Sequence, residues 1–393
     1  MHYSDIDIFC HIVDNFGDAG VAYRFAHEFC LARPSCRTRL FCDDLAPLSD
    51  MCPGLDPRAA LQESDCIVVV DATKLDGALI SQLGPSDVVV EAFGCDIPAP
   101  YAAALLPAAS AWINLEHLSA ERWVDGYHCR QSMLGTGGPT KYFFMPGFTE
   151  DTGGVIVDTL MENVKRTLSG RRMELLDEFL SPFGISAPSA EGALFGVVFT
   201  YLRGFDSLLR DIQGACDRAY LFVCGEKSKT GMISTVQRMG GETLSPCRFR
   251  VGTVDILLMS FLPQHRFDTL LCLADFNLVR GEDSLVRAIF AEKPFVWNAY
   301  IQKEKLHLVK VRAFCDNFAG YFDDKAALAR YRELSAAFND AGEETDGPAA
   351  TEHFAGFFDD LKKIEHSTSR MSYFMAHKCS LIDKFIGFLE SIP

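Results

Sequence analysis

Short apolar runs alternate along this chain with longer stretches in which apolar positions return every three or four residues. The runs Ile6 to Val13, Arg39 to Cys42, Cys66 to Val70, Val88 to Phe93 and Ala111 to Glu116 predict five strands. Between the first two, Val21 to Leu31 has helical spacing, and other helical stretches fall between the later runs. An aromatic run, Lys141 to Thr149, reads as a buried strand that closes this series. From Leu160 to Leu180 the spacing turns helical, and Pro182 and Pro188 break it. A second series follows: Leu194 to Thr200, Tyr220 to Cys224, Ile256 to Leu262, Phe276 to Val279 and Pro294 to Trp297. Helices are predicted at His265 to Leu273 and Leu285 to Glu292, with a long polar excursion after Gly225. Strands alternating with helices at this spacing predict parallel sheets, so the fold class is α/β with two Rossmann-like domains. The expected boundaries are 1–155, an interdomain segment 156–190, and 191–370. Beyond a polar loop from Asn339 to Ala350, Phe354 to Ile364 and Met371 to Leu389 are amphipathic helices, and residues 371–393 are expected to cross back to the N-terminal domain.

Composition narrows the class. A chain of 393 residues exceeds one ordinary core and suits two domains. It has no run of about 18 or more apolar residues, which predicts no transmembrane helix. Met1-His2-Tyr3-Ser4-Asp5 lacks the basic start and apolar core of a signal peptide, so a cytoplasmic protein is expected. The 14 cysteines include no C-x-x-C pair, and no H-E-x-x-H occurs, so neither a disulfide scaffold nor a structural metal is expected. A net charge of −16 argues against a broad nucleic-acid surface. A phosphate-bearing ligand would need a locally basic pocket or backbone N–H groups.

Two stretches carry candidate chemistry. Asp14-Asn15-Phe16-Gly17-Asp18-Ala19-Gly20 joins the first strand to the first helix, and strand carboxyl ends face the ligand crevice of an open α/β sheet. Asp14 or Asp18 alone could simply cap the helix. Two carboxylates flanking Phe16 favour a functional role. Arg280-Gly281-Glu282-Asp283-Ser284 occupies the same kind of turn in the second half. There the N–H groups of the following helix favour an anion, and Arg280 adds a fork suited to phosphate. Glu282 can accept from hydroxyls, and Asp283 or Ser284 can cap the helix. Phe199, Tyr201, Phe261, Phe267 and Tyr300 gather at the predicted strand ends, where aromatic planes suit a nucleobase. No G-x-G-x-x-G follows the first strand. Gly135-Thr136-Gly137-Gly138 reads as a loop, and Gly225-Glu226-Lys227-Ser228 lacks the glycine that a Walker motif needs before its lysine.

Two Rossmann-like domains facing across a cleft, with a diphosphate-type turn in the second, suggest a GT-B glycosyltransferase. Val13 to Gly20, Trp112-Ile113-Asn114-Leu115-Glu116, Lys141-Tyr142-Phe143-Phe144 with Pro146-Gly147-Phe148-Thr149, and Arg280 to Ser284 together resemble the elongation factor P maturation arginine rhamnosyltransferase family, across nearly the whole chain. The resemblance implies metal-independent, inverting transfer of L-rhamnose from dTDP-β-L-rhamnose to an arginine of elongation factor P, without a cofactor. It implies an acceptor-binding N-terminal domain and a nucleotide-sugar-binding C-terminal one. By motif position, Asp14, Asp18 and Glu282 would be catalytic, with Asp18 the better base. Asn15, Phe16, Gly17, Phe199, Tyr201, Phe261, Gln264, Phe267, Arg280, Gly281, Asp283, Ser284 and Tyr300 would hold the nucleotide sugar. The stretch between Trp123 and Pro139 departs from the more proline-rich segment of the family. A GT-B enzyme with another donor or acceptor is the nearest alternative, and a non-catalytic nucleotide-binding protein is the alternative from another class.

Overall fold

Each half of the chain builds one seven-stranded sheet. The computed structural model describes residues 3–13, 15–133, 138–168, 170–340, 345, 347 and 352–392. It divides the chain into two units, Met1–Thr159 with Phe374–Pro393, and Leu160–Tyr373. Asp14, Gly135 to Gly137 and most of the loop predicted after Asn339 lie outside the described residues.

The first unit runs β1 (Asp5–Cys10), α1 (Asn15–Ala32), β2 (Arg37–Cys42), α2 (Ala46–Met51), β3 (Leu61–Ser64), β4 (Ile67–Asp71), α3 (Gly77–Leu83), β5 (Val88–Ala92), α4 (Ala99–Ala104), β6 (Ala111–Leu115) and β7 (Lys141–Phe144). The sheet order is β3-β4-β2-β1-β5-β6-β7, parallel except for β3, which pairs antiparallel with β4. Strand β1 therefore lies where the order reverses, between β2 and β5. Its side chains alternate: Ile6, Ile8 and Cys10 face α1, whereas Phe9 packs on Phe41 and Tyr101 on the other face. Asp7 breaks the apolar run at a buried position. Arg39 donates to it from β2, Nη2 to Oδ2 at 2.8 Å, and Tyr101 adds its hydroxyl. Burial raises the Asp7 carboxyl above its ordinary value even against this partner.

Helix α1 begins at Asn15, ahead of the predicted Val21, and takes in Gly17 and Gly20. These glycines are helical residues rather than parts of a separate turn, which corrects the expectation from sequence. Each helical glycine costs about 1 kcal/mol relative to alanine. Tertiary packing offsets that cost, because Ala19, Ala22, Phe25, Ala26 and Phe29 form one fully buried stripe.

The second unit holds α5 (Thr159–Leu168), α6 (Arg172–Leu180), β8 (Leu194–Val198), α7 (Asp206–Ala215), β9 (Ala219–Val223), α8 (Glu226–Arg238), β10 (Glu242–Ser245), β11 (Arg248–Val251), β12 (Val254–Leu258), α9 (Gln264–Leu273), β13 (Phe276–Arg280), α10 (Gly281–Phe290), β14 (Phe295–Asn298), α11 (His307–Ala319), α12 (Lys325–Asn339), α13 (Ala355–Asp359) and most of α14 (Leu361–Lys378). Its order is β10-β11-β12-β9-β8-β13-β14, with β12 to β14 parallel. The reversal falls between β8 and β13. The polar excursion after Gly225 resolves into α8 and an antiparallel extension, β10 and β11, at the sheet edge. Helices α5 and α6, from the stretch expected to be interdomain, belong to this second unit.

The single helix expected over Met371 to Leu389 is interrupted. Ser380 caps α15 (Leu381–Ser391) by accepting from the N–H of Asp383. The chain there pairs with Val155, whose N–H donates to Cys379 O and whose carbonyl accepts from Leu381 N, both at 2.8 Å. Gly154 has φ +77, and a Cβ on it would lie 2.2 Å from the Cys379 carbonyl oxygen. Helix α15 sits in the first unit's core, where Phe385 meets Phe25, Phe29 and Phe144 edge-on at 5.0 to 5.9 Å. Fully burying such a side chain contributes about 1.5–3 kcal/mol.

Candidate active site

In the first unit, the candidate chemistry gathers at the carboxyl end of β1. The segment from His11 to Val13 is loop, not strand, and two carboxylates take the N–H groups of Ile12 and Val13. Asp43, just past β2, accepts from Ile12 N at 2.9 Å and pairs with the His11 ring. Asp18 Oδ2 accepts from Val13 N at 2.9 Å. Asp18 stands in the first turn of α1, where a carboxylate also meets the positive end of the helix. Its carboxylate is thus held by the loop that precedes it and stays half-exposed. Phe16 and Val13 are exposed beside it, at 38% and 76%. Gly17 is in the same helical turn, and so is the backbone of Asn15. The pairing of His11 with Asp43 escaped the sequence reading, since only the parallel register of β1 and β2 brings these residues together.

The neighbouring strand β5 ends in an unusual backbone. Phe93 has φ +61, a conformation that bulky residues rarely adopt, and its ring stacks on His117 at 4.4 Å. Gly94 N donates to Asn114 Oδ1, and Asn114 Nδ2 donates to Glu116 Oε1 at 2.7 Å. The Trp112 to Glu116 motif therefore organises the strand ends beside β1. Buried Glu91 accepts from Trp112 Nε1 at 2.9 Å and pairs with Lys141, which ties two of the singled-out motifs together. A cavity of about 360 Å³ lies at the opposite, amino-terminal edge of this sheet, among Cys30, Cys36, Arg37, Thr38 and Cys66. It has no part in the strand-end site.

In the second unit, Arg280 ends β13 and stands at the N-cap of α10. The Arg280 side chain makes no cap hydrogen bond to that helix. Gly281 has φ +68, which turns the chain into the helix, and Trp297 Nε1 donates to its carbonyl at 3.0 Å. The Arg280 guanidinium lies 4.9 Å from the Phe199 ring and 4.8 Å from the Tyr201 ring. Phe199 meets Phe267 edge-on at 5.3 Å, and Tyr201 meets Tyr300 at 5.4 Å. Asn298 Oδ1 accepts from Tyr201 N at 3.0 Å, fixing the end of β8 against that of β14. Phe199, Tyr201, Phe267, Arg280, Gly281 and Tyr300 therefore form one connected cluster at the strand-order reversal. Glu282, Asp283 and Ser284 lie in the first turn of α10, with Lys310 3.9 Å from Glu282. Gln264 opens α9, and Phe261 precedes it with 53% of its surface exposed. Both belong to the carboxyl-terminal edge of β12. A buried ion pair joins the two helices that carry these residues: Arg287 Nε donates to Asp268 Oδ1 at 2.8 Å.

Such an arrangement suits a nucleoside diphosphate. The N–H groups at a helix start and a guanidinium favour the phosphates, and the aromatic planes suit the base. Among the described residues no group of three or more His, Cys, Asp or Glu side chains could hold a metal ion. No helix among them is long and apolar enough to cross a membrane.

The profile of the family described as elongation factor P (EF-P) rhamnosyltransferase EarP matches residues 6–390. The chain is 35% identical to a protein-arginine rhamnosyltransferase of Pseudomonas putida over 342 residues, covering 85% of this chain and 87% of that one. It is 33% identical to the protein of that name from Pseudomonas aeruginosa, covering 79% and 80%. The Neisseria meningitidis protein of the same name is 32% identical, covering 84% and 83%. A solved structure concerned with EarP-mediated arginine glycosylation of translation elongation factor EF-P superposes with a TM-score of 0.62 at 23% identity, over 98% of both chains. That likeness establishes a shared fold.

Proposed function

This chain belongs to the EarP family of elongation factor P rhamnosyltransferases and is a glycosyltransferase, and from that premise we propose that it moves L-rhamnose from dTDP-β-L-rhamnose to an arginine side chain of elongation factor P. The observation that carries the donor half of this reading is the packing of Arg280 over Phe199 and Tyr201 at the start of α10. The name protein-arginine rhamnosyltransferase, shared by the relatives, supports the acceptor half.

The chemistry asks for two things that these residues supply. A guanidinium holds its proton tightly and delocalises its lone pairs, so it attacks poorly unless oriented and relieved of a proton. Asp18 is assigned that task, with Asp14 beside it in sequence. As a guanidinium nitrogen bonds to C1 of the sugar, the bond from C1 to the β-phosphate oxygen breaks. The bonding pair leaves with dTDP, the surplus proton passes to Asp18, and attack opposite the leaving group inverts C1. The growing charge on dTDP is met by Arg280 and the N–H groups at the start of α10, which is why the reading assigns no metal and no cofactor. Glu282 is assigned to the sugar, and Phe261, Gln264, Phe267, Asp283, Ser284 and Tyr300 to the rest of the nucleotide sugar. Asn15, Phe16 and Gly17 are assigned to the nucleotide sugar as well. A cytoplasmic location is part of the reading.

The experiment is to mix purified protein, dTDP-rhamnose and folded elongation factor P, and to weigh the acceptor. The expected product carries one deoxyhexose on arginine. A folded acceptor should react far faster than a short loop peptide, because remote contacts position the guanidinium. Transfer from another nucleotide sugar but not from dTDP-rhamnose would overturn the donor assignment. No transfer to elongation factor P with any donor would overturn the acceptor assignment.

A further inference from the structure

The stretch Gly225-Glu226-Lys227-Ser228 has no place in the reading so far, yet it opens directly onto the same cluster. Gly225, with φ +78, is the N-cap of α8 and follows β9, the strand beside β8. A Cβ on Gly225 would lie 2.8 Å from the Phe199 ring, so the start of α8 is seated against that ring. Ser228 locks the same junction: its Oγ accepts from Thr200 N at 2.7 Å and donates to Thr200 O at 3.1 Å. Lys227 is then delivered to Tyr201, with Nζ 5.4 Å from the ring centre. Arg280 approaches the same ring at 4.8 Å.

We infer that Lys227 is a second diphosphate-binding cation of the donor site, acting with Arg280 across the Tyr201 ring. The inference rests on the nucleotide-sugar reading of this cluster. A sugar nucleotide carries two phosphate charges, and the nucleoside diphosphate gains a third when the glycosidic bond breaks. One planar fork suits one phosphate. A lysine on a flexible stem follows the other as its charge grows.

The test is calorimetric titration of dTDP and of thymidine into the wild-type protein and its Lys227→Met, Lys227→Arg and Arg280→Ala variants. Lys227 is exposed, so its removal should leave the melting temperature unchanged. The expected result for Lys227→Met is a rise of roughly threefold to tenfold in the dTDP dissociation constant, between the worth of an exposed ion pair and that of a charge-assisted hydrogen bond. Thymidine affinity should not change, Lys227→Arg should restore most of the loss, and added salt should narrow the gap. Unchanged dTDP affinity in Lys227→Met, alongside weakened binding in Arg280→Ala, would overturn this inference and leave the donor site standing. An equal loss for thymidine would also overturn it, since the lysine would then act on the nucleoside. Wild-type protein that does not bind dTDP would overturn the donor reading, and this inference with it.

Discussion

The backbone N–H of Val13 donates to Oδ2 of Asp18 across 2.9 Å, so the loop leaving β1 orients the carboxylate assigned as base. Asp18→Asn keeps an acceptor for that N–H and removes only the charge. Transfer should fall by about a hundredfold to ten-thousandfold, the usual worth of a positioned general base. Single-turnover rates with intact folding and unchanged dTDP affinity would support the assignment, and near-normal turnover would end it.

Arg280→Ala should weaken the donor rather than the acceptor. A charge-assisted hydrogen bond inside a site is worth about 1.5–3 kcal/mol, a rise of roughly tenfold to hundredfold in the dTDP dissociation constant. Calorimetry reads the effect directly. Unaltered dTDP binding would move the diphosphate away from the start of α10.

The pair Arg287 and Asp268 holds α10 to α9, and both side chains are 1% exposed. Arg287→Met leaves Asp268 buried without its partner, which should destabilise the protein by about 3–5 kcal/mol. Replacing both residues together, Arg287→Met with Asp268→Leu, should recover much of that loss. Urea unfolding of the two variants decides the matter. Equal losses would mean that the pair does more than neutralise a buried charge.

His128 predicts a pH dependence for the first unit. It accepts from Met145 N through Nδ1 at 3.2 Å and meets the Phe144 ring edge-on. Burial, helped by Lys384, lowers its pKa from 6.5 to about 4. The unfolded chain would take up this proton near pH 6.5, while the folded chain stays neutral until about pH 4. Its contribution is therefore full above the unfolded value and is lost as pH falls between the two. Melting temperatures at about pH 7.5 and pH 5 should fall less in His128→Gln than in the wild type. An identical fall in both would remove His128 from the account.

The sequence by itself determined the alternation of strands and helices, and with it two parallel sheets. A buried parallel strand must be a short apolar run and its covering helix must show a stripe, so both are written locally. The turn at Arg280 was legible for the same reason, as a polar stretch at the junction of two such signals. Elements without an apolar pattern were not legible: β10 is exposed along its whole length, and the buried face of α8 includes the polar Ser228 and Thr235 and the glycine Gly231. The start of α1 was misjudged because Gly17 and Gly20 weaken local propensity, whereas the buried stripe from Ala19 onward outweighs it. The break before α15 depends on Val155, which pairs across more than two hundred positions of sequence.

Only the tertiary structure decided which side chains share a site. Periodicity reports that a residue faces inward or sits at a strand end, but not which strand lies beside it. Lys227, Tyr201 and Arg280 come from three separate strand-to-helix junctions, and Asp7 finds Arg39 only across β1 and β2. The order β9-β8-β13 brings those three junctions to one edge. That order is set by long-range burial and hydrogen bonding between strands, and no local stretch of the chain contains it.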